Sequence, residues 1–147
     1  MKNKKMKKNN ILILHHNKQW IKYIKVIKKL ANFVLTKKYQ QTTLSILLTN
    51  SNYMQNMNNI YRKKNYDTNV LSFPIDKEIL GEVILSYGKI TEELNIWKRD
   101  FQTHTLYLLI HGILHLLGYD HIVNEEALIM ELEEEYLMNK FILTTKI

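Results

Sequence analysis

Two rhythms of apolar and polar positions run along the chain, short runs with the period of a strand and longer stretches with the period of a helix. Ile11 to His16 is a short apolar run that predicts a first strand. Trp20, Ile24, Ile27, Ala31 and Val34 then recur at helical spacing, with Lys22, Lys25 and Lys29 on the opposite side, which predicts an amphipathic helix. A basic amphipathic helix can also lie on a membrane surface, but between two strand-like runs its expected use is core packing. Thr42 to Thr49, rich in Leu, Ile and Thr, predicts a second strand. Asn50-Ser51 supplies an N-cap for a helix expected to turn Met54, Met57, Ile60 and Tyr61 inward and to end near Arg62-Lys63-Lys64.

After a polar loop from Asn65 to Asn69, Val70 to Ile75 and Glu82 to Tyr87 predict two further strands. Pro74 is the only proline, and because it cannot donate to a ladder it predicts an edge strand or a strand end. Thr91-Glu92-Glu93 starts another helix, with acids in its first turn where the dipole favours them. A helix from about Thr103 to Leu117 follows, and a last one from Glu125 to about Lys140. In the last, Leu128, Leu132, Tyr136 and Phe141 form the expected apolar side and the glutamates the outer one. Strands alternating with helices, then a helical C-terminal half, predict an α/β (α+β) domain with a small mixed four-stranded sheet. With no internal repeat, residues 11–147 are expected to form a single domain behind a flexible basic tail at 1–10.

At 147 residues the chain is long enough to bury a proper core, and 46% hydrophobic with 24% charged residues is an ordinary globular composition. The absence of cysteine excludes disulfides and thiolate metal sites, and fits a reducing cytoplasm. The basic start Met1 to Lys8 resembles the head of a signal peptide. The apolar run after it, Ile11 to Leu14, is too short for the rest of one, so a soluble cytoplasmic protein without membrane contact is expected. Charge is split along the chain. Residues 1–66 carry fifteen Lys/Arg and no acid, whereas residues 67–147 carry six Lys/Arg against fourteen acids. A one-sided basic half is the footprint of a polyanion binder, although lysine-rich drift in an AT-rich genome coats any solvent face in the same way.

The candidate chemistry lies in the run His111-Gly112-Ile113-Leu114-His115-Leu116-Leu117-Gly118-Tyr119-Asp120-His121. His111 and His115 are four apart and project from one side of a helix. Gly118 can end that helix in a left-handed conformation, which frees His121 to return towards the first two. Three imidazoles converging on one point with a fourth position open are the ligand set of a catalytic zinc rather than of a closed structural site. Zinc peptidases of the H-E-x-x-H type place a glutamate base directly after the first histidine, where this chain has Gly112. Peptidase chemistry is thereby weakened while metal binding is not.

With those residues placed, the chain resembles the YbeY family of bacterial metal-dependent endoribonucleases, the rRNA maturation factors. The family's H-G-x-L-H-L-x-G-Y-D-H is matched in full by residues 111–121. A Tyr-Arg ahead of T-[DN]-V-L-S-F-P is matched by Tyr61-Arg62 and by Thr68 to Pro74, and an L-G-[DE]-hydrophobic strand by Leu80 to Ile84. Asp67 stands where the family usually has proline, Glu82 where aspartate is commoner, and Tyr107 where another histidine is frequent. His104, one turn further back, is expected to be a buried or substrate-side polar group rather than a ligand.

The resemblance implies one Zn(2+) on His111, His115 and His121, and single-stranded RNA as substrate. More narrowly it implies precursor rRNA at the 3′ end of the small-subunit 16S species, defective ribosomes, and the small ribosomal subunit with its assembly proteins as partners. A three-histidine zinc can polarise a phosphoryl oxygen and lower the pKa of water to about 7. Arg62 is the candidate for receiving charge on the pentacoordinate phosphate, since a guanidinium meets two oxygens at once. Lys63 and Lys64 beside it are candidate RNA contacts, and the basic half supplies backbone affinity. The proton shuttle is not identified by the sequence: Asp120 is one candidate, although a carboxylate beside a histidine ligand is more often an orienting or turn residue, and Glu82 is another. Two rivals stand against the nuclease: a zinc hydrolase of peptides, and a ribosome-assembly protein whose metal is not catalytic. A monomer is compatible with all three.

Overall fold

The computed structural model describes residues 8–145, so most of the expected basic tail lies outside the described residues. The elements run β1 (Asn10–His15), a 3-10 turn (Lys18–Tyr23), α1 (Ile24–Lys37), β2 (Thr43–Thr49), α2 (Ser51–Arg62), β3 (Val70–Pro74), β4 (Ile79–Ser86), α3 (Tyr87–Trp97), α4 (Phe101–Leu116) and α5 (Asn124–Thr145). The four strands form one mixed sheet in the order β1-β2-β4-β3. β1, β2 and β4 are parallel, and β3 closes one edge antiparallel to β4. The α+β domain expected from the pattern is the one formed. Pro74 ends β3, the edge strand, where its missing N–H costs no ladder bond.

The alternation of the strands decides what covers each face. Leu44, Ile46 and Leu48 of β2 and Val83 and Leu85 of β4 join the main core, with Ile27, Leu30 and Val34 of α1 and the buried side of α4. Leu47, Leu71 and Ile84 point the other way and meet Met54 of α2 in a smaller cluster. α2 therefore lies on the face opposite α4. Trp20 sits in the 3-10 turn rather than in α1. It is fully buried, and its indole N–H donates to the Thr49 carbonyl at 3.0 Å, which satisfies the one polar atom it takes inside.

Three expectations from the pattern need correction. α3 begins at Tyr87 rather than Thr91, because Ser86 caps it and accepts from the Lys89 N–H at 3.4 Å. On α2, Met54 is buried, but Ile60 and Tyr61 are exposed and Asn58 takes an inner place, donating from Nδ2 to the Tyr66 carbonyl at 2.9 Å. At the last turn of the helix the small cluster is met only at its rim, where the Tyr61 ring lies 5.0 Å from that of Phe73. On α5, Leu128, Leu132 and Tyr136 are about half exposed or more, and the buried residues are Met130, Leu137, Met138 and Phe141. The stripe at 130, 137, 138 and 141 follows the helical period equally well, and the core selects it.

Gly112 has a packing role. A Cβ there would lie 2.9 Å from Val83 Cγ1 and 3.0 Å from Ser72 Oγ, so the missing side chain lets α4 approach β3 and β4 closely. Ser72 Oγ donates to the Gly112 carbonyl at 2.9 Å, fixing the helix on the sheet. In Gly112→Ala, the gain of up to about 1 kcal/mol in helix propensity is outweighed by overpacking against a stiff β-branched neighbour, which costs about 1–3 kcal/mol. Urea denaturation should show a net loss of stability, and a variant as stable as the parent would rule out the close approach.

Candidate metal centre

α4 is built to hold its histidines still. Asp100 caps it, accepting from the Thr103 N–H at 2.7 Å. Leu109, Ile110, Ile113 and Leu114 are fully buried, each contributing about 1.5–3 kcal/mol relative to exposure. His111 and His115 emerge half-buried on the other side. The helix closes with Gly118 N–H to the His115 carbonyl and Tyr119 N–H to the Leu114 carbonyl, both 3.0 Å, the two bonds of a Schellman cap. Gly118 has φ +100°, which a side chain tolerates poorly. The chain turns back there, and the His121 ring comes to 5.4 Å from that of His111 and 4.8 Å from that of His115. Ligand atoms of all three lie within 4.8 Å of one another.

Hydrogen bonds decide which nitrogens can bind a metal. His115 Nδ1 is 3.0 Å from the Tyr119 carbonyl, which can only accept, so Nδ1 carries the hydrogen and Nε2 a lone pair. His111 Nδ1 is 2.6 Å from Glu134 Oε1, which sets the same tautomer by the same reasoning. The two Nε2 atoms then face each other at 3.1 Å with lone pairs opposed, an arrangement that a shared cation relieves. Tetrahedral zinc with bonds of about 2.0–2.1 Å would hold its nitrogens about 3.3–3.4 Å apart, so the donor set fits such an ion.

Burial lowers the pKa of His115 from 6.5, and the neighbouring His111 and His121 lower it further. Without metal, the unfolded chain then binds a proton on this residue that the folded one resists. The stability contributed is present above about 6.5 and is lost as pH falls through the depressed folded value. The metal-free protein should accordingly melt at lower temperature as pH falls from neutral towards 5. In His115→Ala this part of the slope should disappear.

The groups around this centre fall into place by side of the sheet. Val83 faces Gly112, so Glu82, next to it on β4, points to the α2 side, where its carboxylate accepts from Ser45 Oγ at 3.3 Å. That placement turns it away from the histidines. Asp120 accepts from the His121 N–H at 2.7 Å and acts as a turn residue. His104 is buried, with Nε2 2.9 Å from Glu93 Oε1, as a buried polar group rather than a ligand. Lys38 donates to the Tyr119 hydroxyl at 2.7 Å and pairs with Glu133 at 2.5 Å, joining the end of α1, the histidine turn and α5.

A cleft of about 630 Å³ opens beside the histidines, lined among others by His111, His121, Trp97, Arg99, Tyr107 and Glu134. Arg62, Lys63 and Lys64 are exposed at the end of α2 and are not in its lining. The loop after them reaches the cleft at Asn69. The cleft's arginine is Arg99. Sequence reasoning missed it, and missed Glu134 too. The signal for Glu134 lay in the period: Met130, Glu134, Leu137 and Phe141 form one helical stripe, with a carboxylate where an apolar residue would be expected.

Residues 4–142 match the family model described as Endoribonuclease YbeY. The chain belongs to the YbeY endoribonuclease family. It is 36% identical over 120 residues to the Endoribonuclease YbeY of Carboxydothermus hydrogenoformans, covering 79% of this chain and 84% of that one. It is 37% identical over 139 residues to that of Pelagibacter ubique, covering 85% and 90%. The solution structure of a Thermotoga maritima protein superposes with a TM-score of 0.64 at 23% identity, over 92% of this chain and 93% of that one, which shows the shared fold. The family match reaches well into the N-terminal third, ahead of the motifs at residues 61–121. Among the described residues no helix is long and apolar enough to cross a membrane.

Proposed function

We propose that the chain is a zinc-dependent, single-strand-specific endoribonuclease of the cytoplasm. Its substrate is precursor rRNA, at the 3′ end of the small-subunit 16S species, and it also acts on defective ribosomes in quality control. The reading rests on one observation above all: two histidines of fixed tautomer, with Nε2 atoms 3.1 Å apart and His121 beside them, at a cleft in a chain of this family. His111, His115 and His121 hold the metal, which when bound supplies Lewis-acid polarisation of a phosphoryl oxygen and acidification of water. Glu134 and the Tyr119 carbonyl keep the two helix-borne imidazoles turned to the metal.

Arg62, exposed at the end of α2, is assigned the charge that develops on the phosphate, and Lys63 and Lys64 contact with the RNA backbone beside it. The acid-free first half gives the long-range attraction, with affinity falling steeply as salt rises. The small ribosomal subunit and its assembly proteins are the partners this reading requires.

Cleavage of a purified single-stranded RNA, assayed before and after removal of metal and after return of each divalent ion, tests the reading. Loss with chelator and recovery with zinc support it. Intact RNA under every metal, with ribosome association retained, would favour a non-catalytic assembly factor, for which Arg62→Ala should change nothing.

A further inference from the structure

Arg99 stands in the short link between α3 and α4, on the wall of the cleft that holds the histidines. Its guanidinium carbon is 3.8 Å from the centre of the Tyr107 ring and 5.1 Å from that of Trp97. Nη1 lies 3.4 Å from His104 Nδ1. Carboxylates near it are occupied: Glu93 with His104 at 2.9 Å, Glu135 with the Tyr107 hydroxyl at 3.0 Å, Glu134 with His111 at 2.6 Å. Among the described residues Arg99 forms no salt bridge. A guanidinium over an aromatic ring keeps the donors it does not spend on a neighbour for a planar or tetrahedral anion.

Trp97, the last residue of α3, lines the same cleft and is 54% exposed, so much of the indole is open. It lies near-parallel to the His104 ring at 27° and 6.1 Å. Tyr107 precedes His111 by four residues on the same side of α4, about 6 Å along the axis. The open indole and a guanidinium with no carboxylate partner among the described residues thus line the same cleft as His111 and His121.

We propose that Arg99 and Trp97 form a nucleotide subsite beside the metal centre. The Arg99 guanidinium receives a phosphate next to the scissile one, and the Trp97 indole stacks on a base of single-stranded RNA. This rests on the endoribonuclease reading above and names how that site holds its substrate. Stacking requires an unpaired base and tolerates any sequence, so the subsite selects single strands without reading their order.

The test uses the metal-loaded full chain with a short oligouridylate, reading tryptophan emission, KM and kcat. Trp20 is fully buried, so quenching on mixing should come from Trp97. Trp97→Leu should abolish the quench and raise KM about five- to hundredfold with little change in kcat, while Trp97→Phe restores most of the affinity. Arg99→Ala should raise KM and lower the salt dependence of binding by about one phosphate contact. A ribose-phosphate oligomer lacking bases should bind the wild type as weakly as oligouridylate binds Trp97→Leu. Wild-type KM and salt dependence in both Trp97→Leu and Arg99→Ala, with RNA still cleaved, would overturn the subsite and leave the nuclease reading standing. If the wild type neither binds nor cleaves oligouridylate with any metal, both fall together.

Discussion

His115→Ala should lose its metal and cleave RNA at least about a hundredfold more slowly, with the fold unchanged. The imidazole is half-buried on the open side of α4, and its one polar tie is the bond from Nδ1 to the Tyr119 carbonyl. Losing that bond costs about 1 kcal/mol. Alanine returns a few tenths through helix propensity and removes the opposed lone pair at 3.1 Å from His111. Metal-free parent and variant should therefore unfold within about 1 kcal/mol of each other. Chemical denaturation in chelator separates loss of function from loss of structure. A variant that cleaves like its parent would remove His115 from the site.

The second large effect is expected at Glu134, which touches no substrate. Its carboxylate accepts from His111 Nδ1 at 2.6 Å and so fixes Nε2 as the nitrogen free to take a metal. Removing such a partner lowers metal affinity about 10–100-fold. Glu134→Ala should show that drop in a zinc competition titration. Glu134→Gln should recover part of it, because the amide oxygen still accepts from the same N–H while the charge is gone. Equal affinity in parent and Glu134→Ala would mean that the helix alone orients His111.

The histidine centre is the most legible part of the chain because its geometry is local. A four-residue step on a helix and a glycine cap determine where His111, His115 and His121 point, and the Schellman bonds at Gly118 and Tyr119 carry that through. The strands are legible as short aliphatic runs, buried on both faces at the ends of β2 and β4, although β4 starts at Ile79 and ends at Ser86 rather than running from Glu82 to Tyr87. What the sequence hides is which of two equally periodic stripes faces inward. On α5 the stripe of Leu128, Leu132 and Tyr136 competes with that of Met130, Leu137 and Phe141, and contacts with α4 distant in sequence decide between them. Glu134 becomes part of the centre through that choice. Gly112 shows a similar limit. Its lack of a side chain reads in sequence as a missing catalytic base, but Val83 and Ser72 lie where its Cβ would go. Which side of the sheet an acid occupies is likewise set by pairing register, and Glu82 falls on the side away from the histidines.

On the proposed reading His111, His115 and His121 together hold one metal ion. Elemental analysis of the purified protein and of its three single alanine variants measures this directly. One equivalent of divalent metal in the parent and little or none in each variant is the expected result. Full metal content in any of the three variants, or a parent that retains none under any loading condition, would contradict it.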